Sequence, residues 1–423
     1  MVEFQWSVQL TPSGGAGAGV RNGAGRRDGG APAQAPGPGT SLVTYRDPLE
    51  GFTGYLAFDG RDNPLAAGGF RVQRGLTADK VTQLAHAMTL EQRLLGLAVD
   101  GAGCGIDYDP QAPGRPDAIR RFLRFLRPHL LSRLSVGPDV GTAWNELETI
   151  ARSECIPSVK VAVAKAQGLP EQDFQRRLRL LAVRVDGLAL AQRGGGHALA
   201  HAALEAIRWA GHRGSRARVG IQGFGTLGRA AALSLAQVGL RVTALADEQG
   251  CLVLPQGLDI GALVTTPAGT PVTCEAPARA RTAAREALFE SPVDLLLLAA
   301  CEEAMSLEQA AALPASIKVV AVGASLGLPS DVEGLLEEHG VVVVPDFLGG
   351  SGGSACMDAL FGAQVCPSAT QALDRVAASV RRTVQRMLQI ATEQGIGSRA
   401  AALVLCDERR PYPDGPPYGQ WLR

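Results

Sequence analysis

Apolar positions along this chain follow two rhythms. From Thr77, a residue suited to a helix N-cap, Val81, Leu84, Ala85 and Met88 recur at helical spacing. A second helix is predicted over 116–131, and 143–195 reads as mostly helical, with a few β-like residues from Val159 to Val163. Past residue 197 the pattern changes. A helix over 198–210 leads into apolar strands at 217–222, 241–246, 293–299, 317–323 and 341–345, with a helix at 227–238. Apolar runs this continuous, separated by helices, predict a parallel sheet buried on both faces. A long amphipathic helix over 369–395 closes the pattern, with Leu373, Val376, Val380, Val384, Met387 and Leu388 on one face. Residues 11–41 are rich in Gly, Ala and Pro, with too few large apolar groups to offset the entropy of ordering them. A disordered arm is expected over 1–41.

Composition narrows the classes. The 423 residues carry no formal net charge, so no positive field advertises nucleic-acid binding. Arg120, Arg121, Arg124 and Arg127 read as the solvated face of a helix. The eight cysteines form no C-x-x-C pair and have irregular spacing, which argues against a zinc site and a disulfide scaffold. No apolar run is long enough for a membrane span, and the N-terminus lacks a charged-then-apolar signal pattern. A cytoplasmic location follows by elimination. His197 and His201 lie four apart on one helix face but lack a third ligand, and read as solvated or capping residues rather than a metal pair. Cys104 reads as a quiet thiol in a glycine-rich turn over Asp100–Gly105, with a reactive thiol as the alternative. That turn reads first as an ordinary tight turn and second as a ligand-approach loop.

The strongest chemical signal is Gly223-Phe224-Gly225-Thr226-Leu227-Gly228, directly after the apolar strand Arg218–Gln222. Gly223 permits a tight turn, Gly225 lets the backbone approach a pyrophosphate, and Gly228 lets the helix pack on the strand. The next strand ends at Asp247, where a carboxylate can accept hydrogen bonds from a ribose. Asp247 would repel a 2′-phosphate, which favours NAD over NADP.

The order of motifs resembles the glutamate/leucine/phenylalanine/valine dehydrogenase family over residues 55–400. The resemblance is carried by Pro64-Leu65-Ala66-Ala67-Gly68-Gly69-Phe70-Arg71, by Met88-Thr89, and by Gly105-Ile106-Asp107-Tyr108-Asp109-Pro110. Further along it rests on Pro138-Asp139-Val140-Gly141-Thr142, Asp247-Glu248-Gln249-Gly250, Gly257-Leu258-Asp259, Val344-Pro345-Asp346 and Gly352-Gly353. It implies an α/β fold in two domains with a cleft between them. An N-terminal substrate and oligomerisation domain would span 42–196, and a Rossmann dinucleotide-binding domain 197–368. A helical segment, 369–423, would pack back on the N-terminal domain. It also implies a homo-oligomer that deaminates an L-amino acid to a 2-oxo acid, with hydride passing to NAD(P).

Carried over residue by residue, the family's catalytic aspartate falls on Asp139. Its lysine in the glycine segment falls on Gly103, its α-carboxylate lysine on Glu91, and its lysine for a side-chain carboxylate on Ala67, before Gly68 and Gly69. The chain has only four lysines, Lys80, Lys160, Lys165 and Lys318. None lies between Lys80 and Lys160, the interval of both family active-site lysines. Two readings follow: a dehydrogenase for an amino acid with an apolar side chain or a divergent substrate, or a catalytically silent homologue that binds a dinucleotide or a protein partner.

Overall fold

The computed structural model describes residues 8–9, 39–212, 217–409 apart from 268, 278 and 301, and 415–420. The arm expected over 1–41 lies almost wholly outside them. The chain divides into two compact units, Met1–Thr89 with Asp100–Ala162, and Leu90–Val99 with Val163–Arg423.

The first unit is built on a six-stranded mixed sheet. Its strands are β1 (Val8–Gln9), β2 (Thr40–Arg46), β3 (Thr53–Asp59), β4 (Ala66–Gln73), β5 (Asp100–Asp107) and β6 (Leu134–Pro138), in the order β1-β2-β3-β5-β4-β6. Helices α1 (Ala78–Leu94), α2 (Arg115–Leu130) and α3 (Trp144–Ser153) connect them. On one face Phe70, Val72, Ala102, Cys104 and Ile106 meet Phe122, Leu123 and Leu126 of α2 in a closed core. The other face of β5 is bare backbone. A Cβ on Gly103 would lie 2.7 Å from the Val81 carbonyl oxygen of α1, and one on Gly101 would run into the Ala85 oxygen and the Thr89 nitrogen. Thr89 stitches this contact, donating to the Asp59 carbonyl at 3.0 Å and accepting from Gly101 N–H at 3.2 Å.

Asp100–Gly105 is therefore the body of a strand, not the turn its glycines suggested. Glycine serves here because a helix backbone rests on alternate residues, while Ala102, Cys104 and Ile106 fill the core opposite. Cys104 is correspondingly inert: burial, and secondarily the charge of Asp139, pushes its thiol far up. Arg120, Arg121 and Arg124 on α2 pair with Asp117, with Asp47 and Glu50, and with Glu154.

The second unit opens with short helices α4 (Val161–Gln167) and α5 (Glu171–Leu180), a small hairpin β7 (Arg184–Val185) and β8 (Leu188–Ala189), and the long helix α6 (Leu190–Trp209). A seven-stranded sheet follows. It comprises β9 (Arg218–Gln222), β10 (Arg241–Ala246), β11 (Cys251–Val253), β12 (Arg281–Ala283), β13 (Leu295–Leu298), β14 (Val319–Val322) and β15 (Val342–Val344). The order is β12-β11-β10-β9-β13-β14-β15, parallel from β10 to β15, with β11 and β12 antiparallel at one edge. Helix α7 (Thr226–Gln237) follows β9. Then come α8 (Ile260–Thr265), α9 (Leu307–Ala311), α10 (Ser330–Glu338), α11 (Asp346–Gly349), α12 (Gly352–Phe361), α13 (Ala369–Gln394) and α14 (Ser398–Glu408).

The division of the chain falls after Ala162 rather than at 196, because Arg177 of α5 donates to the Leu360 carbonyl and ties this region to α12. The C-terminal segment, expected to pack on the N-terminal domain, groups with the second unit. Its contacts include α6, α12 and residues 90–99, a stretch inside the 42–196 span, where Cys406 donates to Leu90 O at 3.6 Å, Arg409 to Leu94 O, and Ala98 N–H to Pro417 O at 3.1 Å.

His201 is buried and His197 partly so, rather than solvated. They stack edge to face at 4.3 Å between centroids, with Ser234 Oγ 3.0 Å from His197 Nδ1 and Arg381 donating to His201 Nδ1 at 3.1 Å. Burial pulls His197 down to about 4, helped by Arg193 and Arg381. Burial also leads for His201, down to about 3, helped by His197 and by Arg381, Arg208 and Arg193. Both rings are neutral in the fold at neutral pH. Below the ordinary value of 6.5 the unfolded chain binds protons that the fold excludes, so stability is full above 6.5 and drains away from 6.5 towards 4. The unfolding free energy measured in urea should fall between about pH 7.5 and about pH 5, by on the order of 2 kcal/mol for each ring. His201→Gln should flatten that dependence, and an equal slope in the variant would rule the pair out as its source.

Candidate active site and dinucleotide cradle

In the second unit the glycine loop joins β9 to α7 at the point where the strand order reverses, between β10-β9 and β13. That is where open α/β sheets bind ligands. Gly223 has φ +91°, its N–H donates to Ala246 O at 2.7 Å, and a Cβ there would lie 2.8 Å from Ala300. A Cβ on Gly228 would collide with the Gly223 carbonyl. Gly225 caps α7, is exposed, and has open space where its Cβ would be, beside the exposed Thr226 and partly exposed Leu227. The free N–H groups of the first turn thus border a vacant approach, the arrangement that receives a phosphate.

Arg229, the residue after Gly228, fixes this loop and was not singled out by sequence. It is buried, donates to Phe224 O at 3.0 Å and to Thr266 O at 2.6 Å, and lies 4.8 Å from the Phe224 ring centroid. Its only sequence signal is its place directly behind the third glycine. Asp247 is busier than expected. Oδ1 accepts from Gln249 N–H at 2.8 Å and Gly250 N–H at 3.1 Å, and Oδ2 from Val272 N–H at 2.6 Å. Of about four acceptor directions on a carboxylate, these leave about one for a ribose.

In the first unit, Ala67, Gly69, Arg71 and Gln73 share one face of β4, and Gly68 takes the opposite one. Gly69 stands directly opposite Gly103 on β5 and Gly137 on β6. Asp139, just past β6, turns back over Gly69, where a Cβ would lie 3.0 Å from its Oδ2. Buried Arg71 grips that carboxylate, Nε to Oδ2 at 2.9 Å and Nη2 to Oδ1 at 3.2 Å. The turn is docked on β4: Val72 N–H donates to Val140 O at 2.9 Å, and Thr142 Oγ1 donates to Phe70 O at 2.8 Å. Gly141, at φ +75°, has no room for a side chain against Val72 O.

The structure therefore brings Ala67, Gly69, Gly103 and Asp139 to one side of one sheet. Glu91 belongs to the second unit, buried, with Ser354 Oγ donating to its Oε2 at 3.3 Å. Among the described residues no group of three or more His, Cys, Asp or Glu side chains could hold a metal, and no helix is long and apolar enough to cross a membrane.

A parallel doubly wound sheet with this loop defines the second unit as a Rossmann-type fold. Two family models cover the chain: the Glu/Leu/Phe/Val dehydrogenase dimerisation domain over residues 43–154, and the Glutamate/Leucine/Phenylalanine/Valine dehydrogenase domain over 187–409. The chain belongs to that family of amino-acid dehydrogenases. It is 27% identical to a glutamate dehydrogenase of Thermotoga maritima over 72% of this chain and 71% of that one. It is 29% identical to the NADP-specific glutamate dehydrogenase A1 of Halobacterium salinarum over 70% and 68%. Its fold matches that of hetero-hexameric glutamate dehydrogenase from Thermus thermophilus, leucine-bound form, with TM-score 0.68, 27% identity and 87% of each chain covered.

Two outcomes follow from the glycines. Gly103→Lys places a side chain against the α1 backbone and should cost about 1–3 kcal/mol in chemical denaturation. A variant as stable as the parent would show that α1 yields. Arg229→Ala should weaken NADH binding about tenfold or more in calorimetry by loosening the loop, while unchanged affinity would confine Arg229 to packing.

Proposed function

We propose that the chain is an NAD(P)-dependent oxidoreductase acting on the CH–NH2 group of an L-amino acid with an apolar side chain, and on the corresponding 2-oxo acid. The observation that carries this is the cradle: Gly225 open, Gly228 seated on Gly223 O, and the loop clamped by Arg229. The residues present fit a dinucleotide. Thr226 and Leu227 would offer backbone N–H groups to the pyrophosphate, and Asp247 its remaining acceptor direction to the adenosine ribose. The chemistry such a dinucleotide would supply is a hydride acceptor for the substrate's α-carbon. Asp139 is the group that would exchange a proton at the substrate nitrogen, with Arg71 holding its carboxylate in one orientation. NAD is favoured over NADP because Asp247 would repel a 2′-phosphate, although relatives include both NADP-specific and NAD-specific enzymes. Ala67 at the position of a side-chain-carboxylate lysine favours an apolar pocket over a glutamate pocket. The hetero-hexameric structural relative and the match to the family's dimerisation domain support an oligomer, which we read as a homo-oligomer.

A second reading has its own observation. Gly103 is walled in by α1, so the family's central amine is absent from its usual strand. A silent homologue would keep the cradle and lose the chemistry. Calorimetry with NADH and NADPH separates both readings from a scaffold that binds neither nucleotide. The expected result is saturable NADH binding, with NADPH weaker. Turnover against a panel of aliphatic, aromatic and acidic amino acids and 2-oxo acids then decides. An apolar substrate should be best, and Asp139→Asn should abolish its turnover. A best rate with glutamate would overturn the specificity, and no turnover with any acid would leave the silent reading standing.

A further inference from the structure

The face that carries Asp139 holds two more polar groups that no motif led to. Ser135 on β6 stands opposite Ala67, two residues before Gly137, so it shares the face of Gly137 and Gly69. It is fully buried, and its Oγ has no hydrogen-bond partner. A buried hydroxyl without a partner is destabilising unless something supplies one. Lys160 is also buried. Its Nζ is the one atom within 4 Å of where a Gly137 Cβ would be, at 3.6 Å.

The chain path explains how this lysine arrives. After α3 the backbone returns along the β6 edge, where Val136 N–H donates to Val159 O at 3.1 Å. Buried Glu148 holds the return, accepting from Ser158 Oγ at 2.8 Å and from Val159 N–H at 3.0 Å. Ser158 Oγ in turn accepts from Lys160 N–H at 3.0 Å. The lysine is thereby delivered over Gly137, which is partly exposed, as is Gly69 beside it. Facing strands lie about 4.8 Å apart, so Nζ and the Asp139 carboxylate are within about 11 Å of each other on one side of one sheet.

We infer that Lys160 and Ser135 form a carboxylate-binding site for the substrate beside Gly137, on the face that carries Asp139. The inference rests on the reading of the chain as an amino-acid dehydrogenase and adds to it the group that grips the acid. An ammonium and a hydroxyl donor are the donors a carboxylate takes. The amine missing from β5 is in this way supplied from beyond the sheet edge.

The test measures binding of 2-oxoisocaproate and of 2-oxoglutarate to the full chain with NADH present, by calorimetry, together with steady-state rates, for the parent, Lys160→Met, Lys160→Arg and Ser135→Ala. Lys160→Met should weaken 2-oxo-acid binding about tenfold or more and raise KM more than it lowers kcat, with partial recovery in Lys160→Arg. Ser135→Ala should weaken binding several-fold while leaving the fold as stable or more stable, since it removes a buried group without a partner; a purely structural serine would not split the two readouts. Equal losses for both acids assign the site to the α-carboxylate, and a loss confined to 2-oxoglutarate assigns it to a side-chain carboxylate. Either result supports the site. Parent-like binding and KM in Lys160→Met, with the parent active, overturns the site and leaves the dehydrogenase reading intact. A parent that binds acids without turning them over, and loses that binding in Lys160→Met, retains the site and removes the activity. A parent that binds none of these acids overturns both.

Discussion

Everything in the first unit depends on one approach of backbone to backbone, α1 lying on β5 with no side chain between them. Strand glycines are entropically expensive and pack nothing themselves. They persist here because a helix can rest directly on Gly101 and Gly103, with Thr89 bridging to Gly101 N–H and Asp59 O. The same residues cannot carry side chains into the site. The absence of a side chain at position 103 is thus more than a matter of residue identity: the space one would use is occupied by the Val81 and Ala85 backbone. Over β4 and β6 on this face stand Asp139, above Gly69, and the Lys160 ammonium, near Gly137.

The second unit uses glycine in two ways. In the loop, Gly223 supplies a positive φ and Gly225 an uncovered helix start. In the helices, glycine sets distances: Gly196 of α6 lies against the Leu227 carbonyl and the Ala231 nitrogen of α7, and Gly352 of α12 against the Gly194 carbonyl. Bringing α6 this close to the first turn of α7 braces the cradle from the side away from β9. Arg229 braces it from within, since one guanidinium satisfies carbonyls at Phe224 and Thr266 that would otherwise be buried unpaired.

Much of this was legible in the sequence, for physical reasons. The strands Arg218–Gln222, Arg241–Ala246, Leu295–Leu298 and Val319–Val322 are apolar on both faces, and such runs have few other uses. The helix over Ala369–Gln394 has a clean stripe and a Ser368 cap. Other features were hidden because their cause lies far along the chain. Asp100–Gly105 looks like a turn until α1 is laid on it. β2, β3 and β4 have mixed, half-buried patterns that only pairing resolves. The burial of His197 and His201 follows from α13 packing over α6, which their four-residue spacing does not reveal. Asp247 was legible as an acid at a strand end, but its bond to Val272 N–H comes from a residue 25 positions on.

Lys160 is the instructive case, because a count of lysines between positions 80 and 160 does not register it. An interval without lysine between 80 and 160 implies a face without an ammonium only if the interval contains everything that lines the face. A sheet edge breaks that assumption. The segment after α3 runs antiparallel or parallel to nothing in the sequence pattern, yet its Val159 carbonyl bonds β6 and carries the next residue over Gly137. A long flexible stem entering from the edge needs no vacancy beneath a helix, which a lysine rising from β5 does. The geometry that closed one entry is therefore compatible with a charge at the same face by another. Arg71 is poorly suited to that duty, because both of its carboxylate contacts already go to Asp139. In this fold the position of an ammonium is set by which strand edge is left uncovered, and the residue that fills it is read from the path of the chain rather than from the family's motif.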